Sequence, residues 1–383
     1  YLGVNALAAV GSTGSVNFMI IGFCIGVCNG FAIPVAQKFG EKNFSQLRKF
    51  AANGAWLSLG FAVVMTTVIC MLCRNILLWM NTPEDIIDFA YSYIVVIFLG
   101  IPATYLYNMV SGILRSLGDS KTPLYFLVMS SVLNVALDLF TILVLKMGVA
   151  GAAWATVISQ AVSGILCLLY MVKHFEILHM TKKEALPNKD MMKVLCGFGI
   201  PMGLQYSITA IGSIILQVAV NGLGSMSVAA MTAASRIGMF FCCPFDALGS
   251  TMATYGGQNI GARKLHRIGE GLKAAVFMGS VYSFLALAVL FTFGNTIALL
   301  FLDSDQVQIL SQVKQYLLIT SSFFIPLVLV NVVRFLIQGM GYSKRAMFAG
   351  VCEMAARAAV GFLLVPRFGF LAACFASPSA WIA

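Results

Sequence analysis

Long apolar runs alternate with short polar links along almost the whole chain. A helix that crosses a bilayer needs about 20 mostly apolar residues. Eleven runs meet that length: 14–36, 52–73, 89–112, 123–145, 149–172, 192–220, 229–255, 272–295, 312–338, 346–365 and 369 to the end. Nothing in them alternates with period two, and an open sheet edge cannot sit in lipid. The pattern therefore predicts an all-α polytopic membrane protein.

The pattern also repeats. The stretch that starts at Ala229 runs through Pro244 and Asp246 to Gln258-x-x-Gly261 and a basic link. The stretch that starts at Ala8 runs in the same way to Gln37-x-x-Gly40 and a basic link, at a constant spacing of 221 residues. Further pairs continue it: Pro102 with Pro326, Gly118-x-Ser120-Lys121 with Gly341-x-Ser343-Lys344, and Gly148 with Gly369. A period of half a protein suggests a transporter with internal repeats rather than a solenoid.

Charge orients the runs. Links after the odd-numbered runs hold Lys38, Lys42, Arg48 and Lys49; Arg115 and Lys121; Lys173 to Lys193; Arg263 to Lys273; and Lys344 and Arg345. The other side holds Arg74, Lys146, Lys314 and Arg367 beside Glu84, Asp85, Asp88, Asp303 and Asp305. By the positive-inside rule the first set is cytoplasmic. Residues 1–13 then lie outside, and the chain is expected to be truncated at both ends, with one helix before Tyr1. Twelve helices result, as two six-helix bundles related by a pseudo-two-fold along the membrane normal. The expected parts are an N-terminal lobe at 1–173, a cytoplasmic inter-lobe loop at 174–190 and a C-terminal lobe at 191–383.

Composition narrows the function classes. The chain is 60% hydrophobic and 10% charged, with a mean hydropathy of +0.92. Soluble domains carry about 25% charged residues. The net charge of +10 is spread over orientation links, so nucleic acid is not an expected partner. The ten cysteines are scattered with no histidine near them in sequence, and read as small apolar residues in helices. The 20 methionines and 29 phenylalanines read as lipid-facing packing or an adaptable binding wall. No P-loop, HExxH or Ser/His/Asp set appears. No cofactor and no enzymatic reaction are expected.

Charged residues deep in a span are costly and are functional candidates. They are Asp138, Arg236, Asp246, Arg334, Glu353 and Arg357. Asp138 has Asn134 one turn before it and Thr156 in the next run, a set able to hold H⁺ or Na⁺. The alternative is a carboxylate satisfied by a hydroxyl or a water. Glu353 and Arg357, four apart, are expected to form a local ion pair or an ionic switch. Arg236 and Asp246 are ten apart, about 15 Å along a helix, and cannot pair with each other. With Arg334, Gln37 and Gln258 they are candidates for cavity or gating roles. Asn17, Asn29, Asn108, Gln160, Gln205, Tyr206, Gln217, Asn221 and Asn331 line a cavity or join helices.

Three stretches resemble the multidrug and toxic compound extrusion family, MATE, of the multidrug/oligosaccharidyl-lipid/polysaccharide flippase superfamily. They are Gly3-Val-Asn-Ala-Leu-Ala-Ala-Val-Gly11, Gly112-Ile-Leu-Arg-Ser-Leu-Gly-Asp-Ser-Lys-Thr-Pro123, and Met231 to Gly261 with Pro244-Phe-Asp246. The resemblance implies a twelve-helix fold and an alternately opening cleft. It also implies export of organic, often cationic, small molecules in exchange for H⁺ or Na⁺ across a bacterial plasma membrane. Asn134, Asp138 and Thr156 match the family's N-lobe coupling site, whose further aspartate on the first helix would lie before Tyr1. The carboxylate that some members carry on the seventh helix has no match in 192–220, which disfavours a C-lobe coupling site of that kind. A monomer is expected. The rivals are a lipid-linked oligosaccharide flippase, which needs a strongly basic cavity, and a channel or receptor.

Overall fold

In the computed structural model every regular element is a helix among the described residues, which are 4–80, 82–84, 86–299 and 307–383. Tyr1 to Gly3, and the acidic positions Asp85, Asp303 and Asp305 used above for orientation, lie outside them. The helices are α1 (Val4–Gly40), α2 (Phe44–Trp79), α3 (Ile87–Leu99), α4 (Ile101–Ser116), α5 (Lys121–Leu139) and α6 (Gly148–His174). They continue as α7 (Lys189–Asn221), α8 (Ser225–Gly261), α9 (Leu265–Ala298), α10 (Val307–Ser322) and α11 (Phe324–Gly339). The last are α12 (Ser343–Ala359), α13 (Val365–Phe368), α14 (Phe370–Cys374) and α15 (Ala376–Ile382). Every apolar run from the sequence is helical. Eight helical spans are long and apolar enough to cross a membrane, and two bent pairs make ten. The shorter apolar stretch Phe370–Ile382 follows.

The two runs expected as single helices at 89–112 and 312–338 are each broken. α3 and α4 meet at 42°, and α10 and α11 at 51°. The cause is the proline pair Pro102 and Pro326. Each lacks the N–H that would bond the carbonyl four residues back, and its ring crowds that carbonyl.

The internal repeat is written in the backbone. Left-handed conformations fall at Gly118 (φ 93°) and Gly341 (φ 111°), and at Gly148 (φ 65°) and Gly369 (φ 62°). They also fall at the non-glycine pair Lys42 and Arg263, both φ 56°. The links after Gln37-x-x-Gly40 and Gln258-x-x-Gly261 carry the same bonds. Glu41 and Ala262 amides donate to the Gln37 and Gln258 carbonyls, and Lys42 and Arg263 amides to those of Phe39 and Ile260. Wider π-type turns follow at matched places too, Phe140–Val144 and Val360–Leu364.

The chain separates into two compact units, Tyr1–Ser207 and Ile208–Ala383. This is a division by packing and falls inside α7, whereas the lobes expected at 1–173 and 191–383 divide the chain by topology. The first unit's core holds Phe31, Tyr105, Phe98 and Leu114, all at most 1% exposed. The second is built on Phe245, whose ring lies 5.1 Å from Tyr282 and 5.2 Å from Phe324. Outward, α9 shows Phe277, Phe284 and Phe291 at 70, 62 and 69% exposure. Spaced by seven residues, they form one stripe that only a lipid solvent tolerates at that size.

The glycine face Gly22, Gly26 and Gly30 on α1 receives the first half of α7. A Cβ on Gly30 would lie 2.5 Å from the Gly199 Cα, and one on Gly26 2.6 Å from the Met202 carbonyl oxygen. Backbones this close explain why only small residues serve at the crossing.

The polar loop 174–190 is strapped to the start of α2. Arg48 grips Glu184 with two bonds, Nε to Oε2 at 2.9 Å and Nη2 to Oε1 at 2.8 Å. Ser45 donates to the same carboxylate at 2.9 Å, and the Thr181 amide at 3.0 Å. Asn53 Oδ1 accepts from the Asn188 amide at 2.7 Å, and Trp56 Nε1 donates to the Ala185 carbonyl at 2.9 Å. Arg48 above all, then the Thr181 amide, hold the Glu184 carboxyl well below its usual 4.5. A depressed carboxyl stabilises the strap fully above that ordinary value and loses the effect as pH falls through the lower one. Hydrogen exchange of loop peptides should therefore stay slow through the ordinary carboxylate range and quicken only in stronger acid. Glu184→Gln should quicken it already at neutral pH.

Candidate functional site: two intramembrane polar clusters

The first cluster lies on α5 and α6. Asn134 and Asp138 share a helix face one turn apart, as 3.6-residue periodicity requires. Asn134 Nδ2 donates to Thr156 Oγ1 at 3.3 Å, and the Thr156 hydroxyl donates to the Ala152 carbonyl at 3.0 Å. The Asn134 amide oxygen is thus turned away from Thr156. Asp138 Oδ1 is buried and has no hydrogen-bond partner. Tyr93 of α3 lies within electrostatic range of it. A cavity of about 540 Å³ elsewhere in this unit is almost wholly apolar, between α2, α4 and α6. The one of about 470 Å³ beside Asn134 and Thr156 is more polar, lined also by Asn17, Tyr93, Ser130 and Gln160. Directly after Asp138 the helix loosens into Phe140–Val144, and Thr141 Oγ1 bonds back to the Leu137 carbonyl at 2.9 Å. Such π turns recur at functional sites.

The second cluster corrects the expected local pair. Glu353 does not pair with Arg357. Its Oε1 takes Arg334 Nη1 at 2.6 Å, across from α11 to α12. Arg334 Nη2 donates to Asn331 Oδ1 at 2.7 Å, and Asn331 Nδ2 to Asp246 Oδ1 at 3.1 Å. A chain Asp246–Asn331–Arg334–Glu353 therefore crosses three helices. Arg357 Nη1 reaches the Thr209 carbonyl on α7 instead, at 3.4 Å. Gly212 of α7 lies against it, a Cβ there falling 3.4 Å from Arg357 Cδ, at ordinary contact distance. The physical reason is competition. Arg334 meets the carboxylate from a facing helix at a charge-assisted distance, which a side chain on the same helix does not match here.

Other candidates fall apart from these clusters. Arg236 is exposed and has no ion pair among the described residues, and it does not meet Asp246. Gln37 and Gln258 sit half-buried at the matched helix ends, where their carbonyls cap the links. Asn331 was legible only as one of many span amides. The i, i+3 spacing to Arg334 was the available signal that it bridges charges. Arg115, read as a link cation, instead points inward and donates to Asn29 Oδ1 of α1 at 3.2 Å.

A family model described as MatE matches residues 1–140 and 201–363. The chain belongs to the MatE family. It is 28% identical to the protein described as probable multidrug resistance protein YoeA of Bacillus subtilis, over 80% of this chain and 68% of that one. It is 30% identical to YpnP of the same organism, described in the same words, over 90% and 76%. A solved outward-facing MATE family transporter of the MOP superfamily superposes with a TM-score of 0.94 at 22% identity, over 100% of this chain and 86% of that one. This MATE protein is thus a multi-pass membrane transporter.

In it, the buried pair Arg334–Glu353, with side chains 11 and 7% exposed, leaves an uncompensated charge when either partner is removed. Glu353→Gln should cost about 3 kcal/mol of stability, read by thermal unfolding in detergent. The double variant Arg334→Met, Glu353→Leu should recover only part of that loss, because it also takes Arg334 from Asn331 and Asp246.

Proposed function

We propose that this MATE transporter is a secondary-active exporter of organic small molecules, expected to include cations, in exchange for H⁺ or Na⁺. The coupling ion is taken up at Asn134, Asp138 and Thr156, and the protein works by alternating access in a bacterial plasma membrane. The single observation that carries the reading is the orphaned Asp138 Oδ1, one turn from the Asn134–Thr156 hydrogen bond. An isolated carboxylate in low dielectric favours taking a proton or a cation. For Na⁺, the Asn134 amide oxygen, the carboxylate and the remaining lone pair of the Thr156 hydroxyl are hard oxygen donors. For H⁺, Asp138 alone suffices. Coupling then requires that the cation bind one access state more tightly than the other.

The test is efflux of a fluorescent cationic dye from vesicles holding the full-length protein, with proton and sodium gradients imposed separately. Asp138→Asn should lower gradient-driven efflux at least about tenfold, and the gradient that drives the wild type names the ion. Undiminished efflux in the variant would make Asp138 structural. No movement of any dye under either gradient would favour the flippase reading.

A further inference from the structure

The repeat provides an internal control for charge. In the second unit α8 crosses α11, and the arginine at that crossing, Arg334, is neutralised by Glu353 at 2.6 Å. In the first unit the repeat-related helices α1 and α4 cross, and the arginine there is Arg115. It is half-buried, and it forms no ion pair among the described residues. Its hydrogen bond goes to a neutral amide oxygen, Asn29 Oδ1 at 3.2 Å. At the spacing that relates Gly118 to Gly341, its counterpart is the neutral Gln338.

Two bland roles for Arg115 are already filled by others. A cation in the last turn of a helix can cap its carbonyls. Those carbonyls are taken by backbone amides, Leu117 to Ile113, Gly118 to Arg115 and Asp119 to Leu114. The carboxylate next in sequence, Asp119, accepts at Oδ1 from the amides of Lys121 and Thr122 at the start of α5, and forms no ion pair with Arg115. Tyr107, Tyr206, Cys28 and Cys167, from α4, α7, α1 and α6, lie within electrostatic range of the guanidinium. A guanidinium offers five N–H donors in a planar fork suited to carboxylate and phosphate. An arginine inside a membrane protein without a counter-charge is a functional candidate.

We propose that Arg115, with Asn29 beside it, is an anion subsite that takes the carboxylate or phosphate group of the transported compound. The inference rests on the exporter reading above and narrows its substrates to those that bear an anionic group, alone or beside a cationic one. A lipid headgroup shares that chemistry, but groups from three other helices lie within electrostatic range of the guanidinium, so the substrate is the source argued here.

The test uses full-length protein in phosphatidylcholine vesicles, with and without phosphatidylglycerol. Two dyes of one ring system are compared: fluorescein, which carries a carboxylate, and an esterified cationic rhodamine. The readout is the ratio of their transport rates within one preparation. Loss of a charge-assisted bond worth about 1.5 kcal/mol or more should lower the fluorescein-to-rhodamine ratio about tenfold in Arg115→Gln. Arg115→Lys should keep most of the ratio, and lipid composition should not alter the effect. The proposal is overturned if both dyes fall by the same factor in Arg115→Gln, or if the wild type moves rhodamine and not fluorescein. It is also overturned if the effect appears only with phosphatidylglycerol, which assigns Arg115 to headgroups. If the wild type moves neither dye, the exporter reading itself fails and the subsite with it.

Discussion

A charge inside a bilayer must be paired, neutralised or used, and this constraint orders the polar interior of the molecule. The fold can bury apolar side chains almost anywhere, because lipid is as apolar as the core. Charge is different, since each buried ion costs several kcal/mol unless something answers it. Three answers coexist here. Arg334 and Glu353 pair directly across two helices, and Asn331 extends that pair to Asp246. Arg357 turns to a backbone carbonyl. Asp138 has one oxygen with no answer within the protein.

The frame that carries these groups is duplicated, while its polar contents are not. Matched left-handed turns, matched proline bends and matched π turns show that the backbone plan is used twice. Those features are local and steric, so they persist through large sequence change. The charges need partners on facing helices, so each copy settled its own. The α8–α11 crossing carries an ion pair extended by hydrogen bonds, and the α1–α4 crossing carries an arginine on an amide. The frame supplies positions, and the side chains decide how each copy answers its charges.

Most of the fold was legible in the sequence, because bilayer thickness makes long apolar runs unambiguous. The helix breaks at Pro102 and Pro326 were legible only as a matched proline pair inside two runs, since bend angle depends on the packing around the proline. The candidate site was legible where its members lie on one helix face, as with Asn134 and Asp138. It failed where the partner comes from another helix. Glu353 and Arg357 have ideal spacing for a pair, yet Arg334 from α11 wins. Arg115 looked like one more orientation charge, because one-dimensional spacing does not say which way a helix end turns. The Arg48–Glu184 strap was invisible for the same reason, its partners being joined only by the fold.

The magnitude of the constraint bears on how such a cluster can drive transport. Moving a two-state protein from 1:99 to 99:1 takes about 5.5 kcal/mol of differential binding. A hydrogen bond to a neutral partner contributes only about 1 kcal/mol, too little alone. Relieving an isolated carboxylate in low dielectric is worth several kcal/mol, which is the right order. The group able to supply the switch is therefore the one whose burial is uncompensated, not the one best bonded. The chain from Asp246 to Glu353, by contrast, is hydrogen-bonded across three helices, with two carboxylates sharing one guanidinium. Asp138 keeps one buried oxygen without a partner, and that is the observation on which the coupling proposal stands.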